Sequence, residues 1–165
     1  MLCVSQQVNC SSPVLQADLT AADIPLPGHS SFRLGTIVDT TGLGCSAWAN
    51  LHPDTIRAGD VFTIRMADRG YECRVAPAAG VTGALSLDSL SRLNALRLWF
   101  DDAAVLDSLR KSLTARYGTP DKDAVALSIW DDGRIGVVLT RLADAPGRRV
   151  LLEWIDHTLG EPTAR

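Results

Sequence analysis

Lysine is almost missing from this chain. Lys111 and Lys122 stand against fourteen arginines. That imbalance, with abundant alanine, reads as a GC-rich bacterial coding bias. Histidine is equally scarce: His29, His52 and His157 are spaced 23 and 105 residues apart and form no metal motif. No Cys-x-x-Cys is present and no His-x₃₋₅-His follows, so a zinc site is not expected. No Gly-Lys-Ser/Thr follows the Gly42/Gly44 loop, which excludes a P-loop, and the full dinucleotide fingerprint is missing too. No window reaches the ~18 consecutive apolar residues of a membrane helix. No basic segment followed by an apolar one marks a signal peptide within these residues. No cofactor is expected from these patterns.

What remains describes a globular domain. The chain has 165 residues, 46% hydrophobic and 21% charged, with a net charge of −3. Such a chain is long enough to bury a core, and the charge gives no pull toward nucleic acid. A single domain over 1–165 is expected, with 1–12 and 160–165 loosely ordered.

The cysteine count is even: Cys3, Cys10, Cys45 and Cys73, all in the first half. Two disulfides would permit three pairings. The local pairing, Cys3 with Cys10 and Cys45 with Cys73, closes a small terminal loop and ties a Gly-rich loop to a strand. Free buried cysteines are the alternative. Disulfides would place the protein in a periplasm or outside the cell.

Along the chain, Ser12-Pro13 can start a short helix carrying Leu15, Leu19 and Ala22. Ser31–Val38 reads as a strand. Residues 39–53 and 77–84 read as loops. Val61–Met66 and Tyr71–Ala76 alternate as two strands of a hairpin turning at Gly70. Leu87, Leu90 and Leu93 allow a short helix or a strand. Leu96, Leu98 and Phe100 share the inward face of a strand, with Arg97 and Trp99 on the other. Asp101 or Asp102 caps a helix over about 102–117, whose buried stripe is Val105, Leu106, Leu109, Leu113 and Tyr117. Gly118 is its left-handed stop and Pro120 prevents continuation. Val125–Trp130 and Arg134–Thr140 form a hairpin across Asp132-Gly133, and Arg148–Asp156 is the last strand. The expected fold is therefore α+β: an antiparallel sheet of about five to seven strands packed on one main helix, with one or two short helices besides.

The run Leu113-x₃-Tyr117-Gly118-x-Pro120, followed by a strand ending in Trp130 and a return strand, resembles a pattern in small bacterial envelope and secreted α+β proteins. The strand Leu96-Arg97-Leu98-Trp99-Phe100 before the helix belongs to the same pattern, which covers about the last 75 residues. The resemblance implies a binding module, such as an envelope assembly component or an inhibitor-like or immunity-like protein. It carries over no functional residue, because a helix stop, a turn and core aromatics account for the motif.

Chemistry has few candidates. Cys45 sits in a glycine-rich loop that could expose a nucleophile, with His29 or His52 as base and Asp39 or Asp54 to orient it. Ser46 stands where a papain-like signature places an aromatic, against that family. The pairs Asp101-Asp102 and Asp131-Asp132 fit helix capping and turn formation. Arg148-Arg149 with Arg141 can form a small basic patch. The best-fitting function is therefore binding of another protein by a secreted or periplasmic bacterial domain, through loop residues such as Trp48 and His52 and through Trp99. A cysteine-dependent hydrolase or transferase and an envelope structural component are the alternatives.

Overall fold

The computed structural model describes residues 18–19, 21–22, 32–49, 56–58, 62–64, 69–143 and 147–158. In chain order the elements are β1 (Ala21–Ala22), β2 (Phe32–Arg33), β3 (Gly44–Ala49), β4 (Ile56–Ala58), β5 (Phe62–Ile64), β6 (Arg69–Ala78), β7 (Val81–Asp88) and β8 (Leu93–Phe100), then α1 (Val105–Tyr117), then β9 (Lys122–Ala124), β10 (Leu127–Asp131), β11 (Ile135–Arg141) and β12 (Val150–Asp156). Eight strands form one sheet in the order β3-β6-β7-β8-β12-β11-β10-β9, antiparallel throughout. The pairs β1-β2 and β4-β5 form two small separate sheets.

This corrects the expected architecture. The molecule is mostly an eight-stranded sheet, and α1 is the single helix among the described residues. Ala21–Ala22, expected at the end of a first helix, pairs with Phe32–Arg33 as strand. Leu87 and Leu93 are strand residues on either side of a tight turn. There the buried Asp88 carboxylate accepts the Leu90 and Arg92 backbone N–H groups and the Arg92 Nε. Local side-chain capping of that kind lets a turn outcompete a helical turn. Phe62–Ile64 pairs with Ile56–Ala58, not with the strand after it; β6 pairs instead with β3 and β7. Of the segments expected as loops, 77–84 is strand apart from Ala79-Gly80, and 39–53 contains strand β3 at 44–49.

The helix starts at Val105, not at 102. Asp102 accepts the Ala104 N–H and braces the turn ahead of it. Leu106 and Leu113 are buried against the sheet, with Val105, Leu109 and Tyr117 half-buried beside them. Gly118 donates its N–H to Thr114 O and then ends the helix at φ +86°, ψ −166°, a conformation open to glycine but outside the expected left-handed helical region. Its carbonyl accepts the indole N–H of Trp130 at 2.8 Å, and the Trp154 indole donates to the Tyr117 hydroxyl at 3.1 Å. Two indoles from the sheet thus hold the end of the helix. Arg110 fixes its middle, donating to Ser128 Oγ and to the Ala124 and Val125 carbonyls at the β9–β10 turn.

The register aligns one row of side chains beneath α1 across seven strands: Trp130, Val137, Trp154, Leu96, Leu85, Cys73 and Cys45. All but Cys45 are buried. A second row places Gly83 between Val75 and Leu98. A Cβ on Gly83 would meet side-chain atoms of both at 2.8 Å, so only glycine lets those two side chains close over β7.

Two variants test this account by denaturant unfolding. Trp130→Phe removes a buried donor and part of a filled volume, and should cost about 2–4 kcal/mol. Gly83→Ala should cost about 1–3 kcal/mol through overpacking, despite its higher strand propensity. A neutral Gly83→Ala would show that Leu98 and Val75 are not held in this contact.

Candidate functional site

The face of the sheet opposite α1 carries the polar chemistry. Alternation along β8 puts Arg97 and Trp99 there, while Leu96 and Leu98 point to the helix side. The register builds three short rows. Glu72, Ser86, Ala95 and Ile155 form the first. Arg74, Ala84, Arg97 and Glu153 form the second, and Thr82, Trp99 and Leu151 the third. Small residues on β7 between larger ones on β6 and β8 leave a hollow of about 700 Å³. Arg74, Arg97, Trp99 and Arg148 stand around it, with Glu72 at one side.

The arginines are held differently. Arg97 donates from Nε to the Glu153 carboxylate, a direct cross-strand ion pair, and from Nη1 to Ser86 Oγ at 3.3 Å. Glu153 is buried, and Arg97 keeps part of its guanidinium open to the hollow. Pairing and hydrogen bonding make a buried glutamate tolerable there. Arg148, just before β12, lays its guanidinium carbon 4.7 Å from the centre of the Trp99 ring. Arg74 is exposed, and no ion pair or hydrogen bond with its side chain is found among the described residues. With Glu153 matched to Arg97, the hollow sets Arg74 and Arg148 against Glu72. It is cationic and combines one aromatic face with planar donors suited to carboxylates.

The residues singled out from the sequence scatter. Cys45 and Cys73 stand directly opposite each other on β3 and β6 and are joined in a disulfide. The Cys45 sulfur is therefore bonded, and a nucleophilic role would first require its reduction. Cys3, Cys10, His29 and His52 lie outside the described residues, so neither the second cysteine pair nor a cysteine–histidine pair is placed. Trp48 belongs to edge strand β3, opposite Gly70; its side chain is not among those described. Trp99 is half-buried and is the tryptophan of the cationic hollow. Trp130 and Trp154 are in the core under α1, away from Arg148. Asp131 and Asp132 serve the β10–β11 turn: Asp131 accepts the Gly133 N–H, and Asp132 those of Arg134 and Ile135.

Arg74 and Arg97 were not foreseen as site residues. Strand alternation placed Arg97 with Trp99, but the pairing of β8 with β7 and of β7 with β6 brings Arg74 to them. That pairing is long-range information. No group of three or more His, Cys, Asp or Glu residues able to hold a metal ion occurs among the described residues. No described helix is long and apolar enough to cross a membrane. No family model, curated protein or solved structure matches the chain.

The disulfide has a direct check. Alkylation of the intact, non-reduced protein should leave Cys45 and Cys73 unlabelled. Replacing both by alanine should lower stability by about 2–4 kcal/mol, as for a cross-link closing a loop of this length.

Proposed function

We propose that this protein is a non-enzymatic binding module for another protein, working in a bacterial periplasm or outside the cell. An inhibitor-like or immunity-like role is the concrete form. The observation that carries the reading is the cationic hollow of Arg74, Arg97, Trp99 and Arg148 on the sheet face opposite α1. Tryptophan and arginine are the side chains that most often dominate binding energy when a partner buries them. Here Arg74 on β6 and Arg97 and Trp99 on β8 stand on either side of β7, with Arg148 just before β12, so the sheet already brings them together before a partner binds. The cationic balance selects an acidic segment of the partner, whose carboxylates take the Arg74 and Arg148 guanidinium groups while Trp99 offers an apolar surface. The Cys45–Cys73 bond supports an oxidising compartment. Strand β3 takes up 44–49 of one expected contact loop and β6 and β7 meet across Ala79-Gly80 in the other, and the contact surface proposed here is the sheet face.

The test uses three baits: the unmodified protein, Trp99→Ala and Arg148→Glu. Each is exposed to envelope and secreted fractions of the native host, and recovered partners are re-measured in purified form. A partner that binds the unmodified protein and loses at least about tenfold in affinity to both variants is the expected result. A partner that binds all three equally would place the interface elsewhere.

A further inference from the structure

The two ends of the disulfide sit in different surroundings. Cys73 is wholly buried and belongs to the core, whereas Cys45 is half-buried. Strand β3, which carries Cys45, is the last strand of the sheet on its side, and β6 is its one pairing partner among the described residues. Gly44, Ser46 and Ala47 beside Cys45 are exposed, so these residues of β3 add little apolar area to the core. Strand β6 does not depend on β3 in the same way, because its other side pairs with β7. Beyond the backbone ladder, the bond from Cys45 to Cys73 is what fastens this edge strand.

We propose that the Cys45–Cys73 bond is a redox latch: a dithiol reductant opens it in the folded protein by attack at Cys45, and β3 comes away while the rest of the sheet stays formed. The reductant's thiolate attacks the Cys45 sulfur, and the bond to Cys73 breaks, with Cys73 leaving as a thiolate that takes up a proton. The second thiolate of the reductant then displaces Cys45. Two cysteine thiols and one disulfide on the reductant result, with two electrons passed to the protein. Attack runs in this direction because Cys45 is on the edge strand and Cys73 is enclosed. Once the link is cut, a short strand with few buried side chains is the part of the sheet that opens first. Glu72 and Arg74 flank Cys73 on β6 and border the cationic hollow, so the latch also braces that wall. The latch depends on the fold alone and holds whether or not the hollow binds a protein.

The test treats the full chain with dithiothreitol in native buffer and maps the reduced cysteines by peptide mass. The Cys45–Cys73 pair should be reduced at a rate that urea leaves unchanged until unfolding begins. In the reduced protein, hydrogen exchange should show segment 44–49 at least about tenfold less protected, with protection kept over 81–88, 93–100 and 105–117. Two single variants, exposed to oxidised glutathione, read the direction of attack. Cys73→Ala should form a mixed disulfide at Cys45 at least about tenfold faster than Cys45→Ala forms one at Cys73. Reduction that proceeds only through global unfolding overturns the proposal. So does a reduced protein that unfolds throughout or keeps full protection over 44–49, and so do equal rates at the two cysteines.

Discussion

The hydrogen bond from the Trp130 indole to the Gly118 carbonyl holds this structure in register. A helix end leaves carbonyl groups without intrahelical partners. Here one of them is satisfied by a side chain from the sheet, and the Tyr117 hydroxyl beside it is met by Trp154. Trp130 and Trp154 flank Val137 in one row across β10, β11 and β12. The helix end and the strand register therefore specify each other. A slip of one residue in β10 would turn Trp130 to the opposite face and leave both the carbonyl and the indole without partners. The row continues to the Cys45–Cys73 bond, so one line of contacts runs from the helix stop to the far edge strand.

The chain signalled its second half far better than its first. Around α1, periodicity, a glycine stop and an Asp-Gly turn are local signals, and the strands beside it alternate cleanly. Leu96, Leu98 and Phe100 face the helix as their spacing demands. What misled was local ambiguity settled by distant partners. Leu87, Leu90 and Leu93 fit a helical period, yet the Asp88 carboxylate closes a turn among them, and each flanking strand pairs along its length. The glycines at 42 and 44 suggested a loop, whereas Gly44 begins an edge strand whose pairing with β6 supplies the stability its composition lacks. The candidate site was half legible. Trp99 and Arg97 could be placed on one face, but Arg74 joins them only through two strand pairings, and Arg148 through its stacking on Trp99.

One strand, β7, shapes both faces. Gly83 allows Val75 and Leu98 to meet above it on the helix side, while Thr82 and Ala84 lower the floor on the other. Small residues in the middle of a sheet weaken it locally, and the Arg97–Glu153 pair and the buried leucines of β8 flank that weak place. The result is a thin central strand with an arginine-edged hollow on one side and an apolar cleft on the other.

The order of the strands has a consequence for how the molecule comes together. Strands β6, β7 and β8 form one meander, β9 to β12 form another, and the two meet only where β12 returns to β8. Within each meander the partners are neighbours in sequence, and all but β11 and β12, which are separated by residues 142–149, are joined by short turns that close rapidly. The seam joins residues distant in sequence, such as Arg97 and Glu153, 56 positions apart along the chain. Its closure costs more loop entropy than any turn within either meander, although that cost grows only slowly with length. The helix that bridges the two meanders, once its end is caught by the indoles of the second, shortens the search by delivering β8 to β12 already attached to a common support.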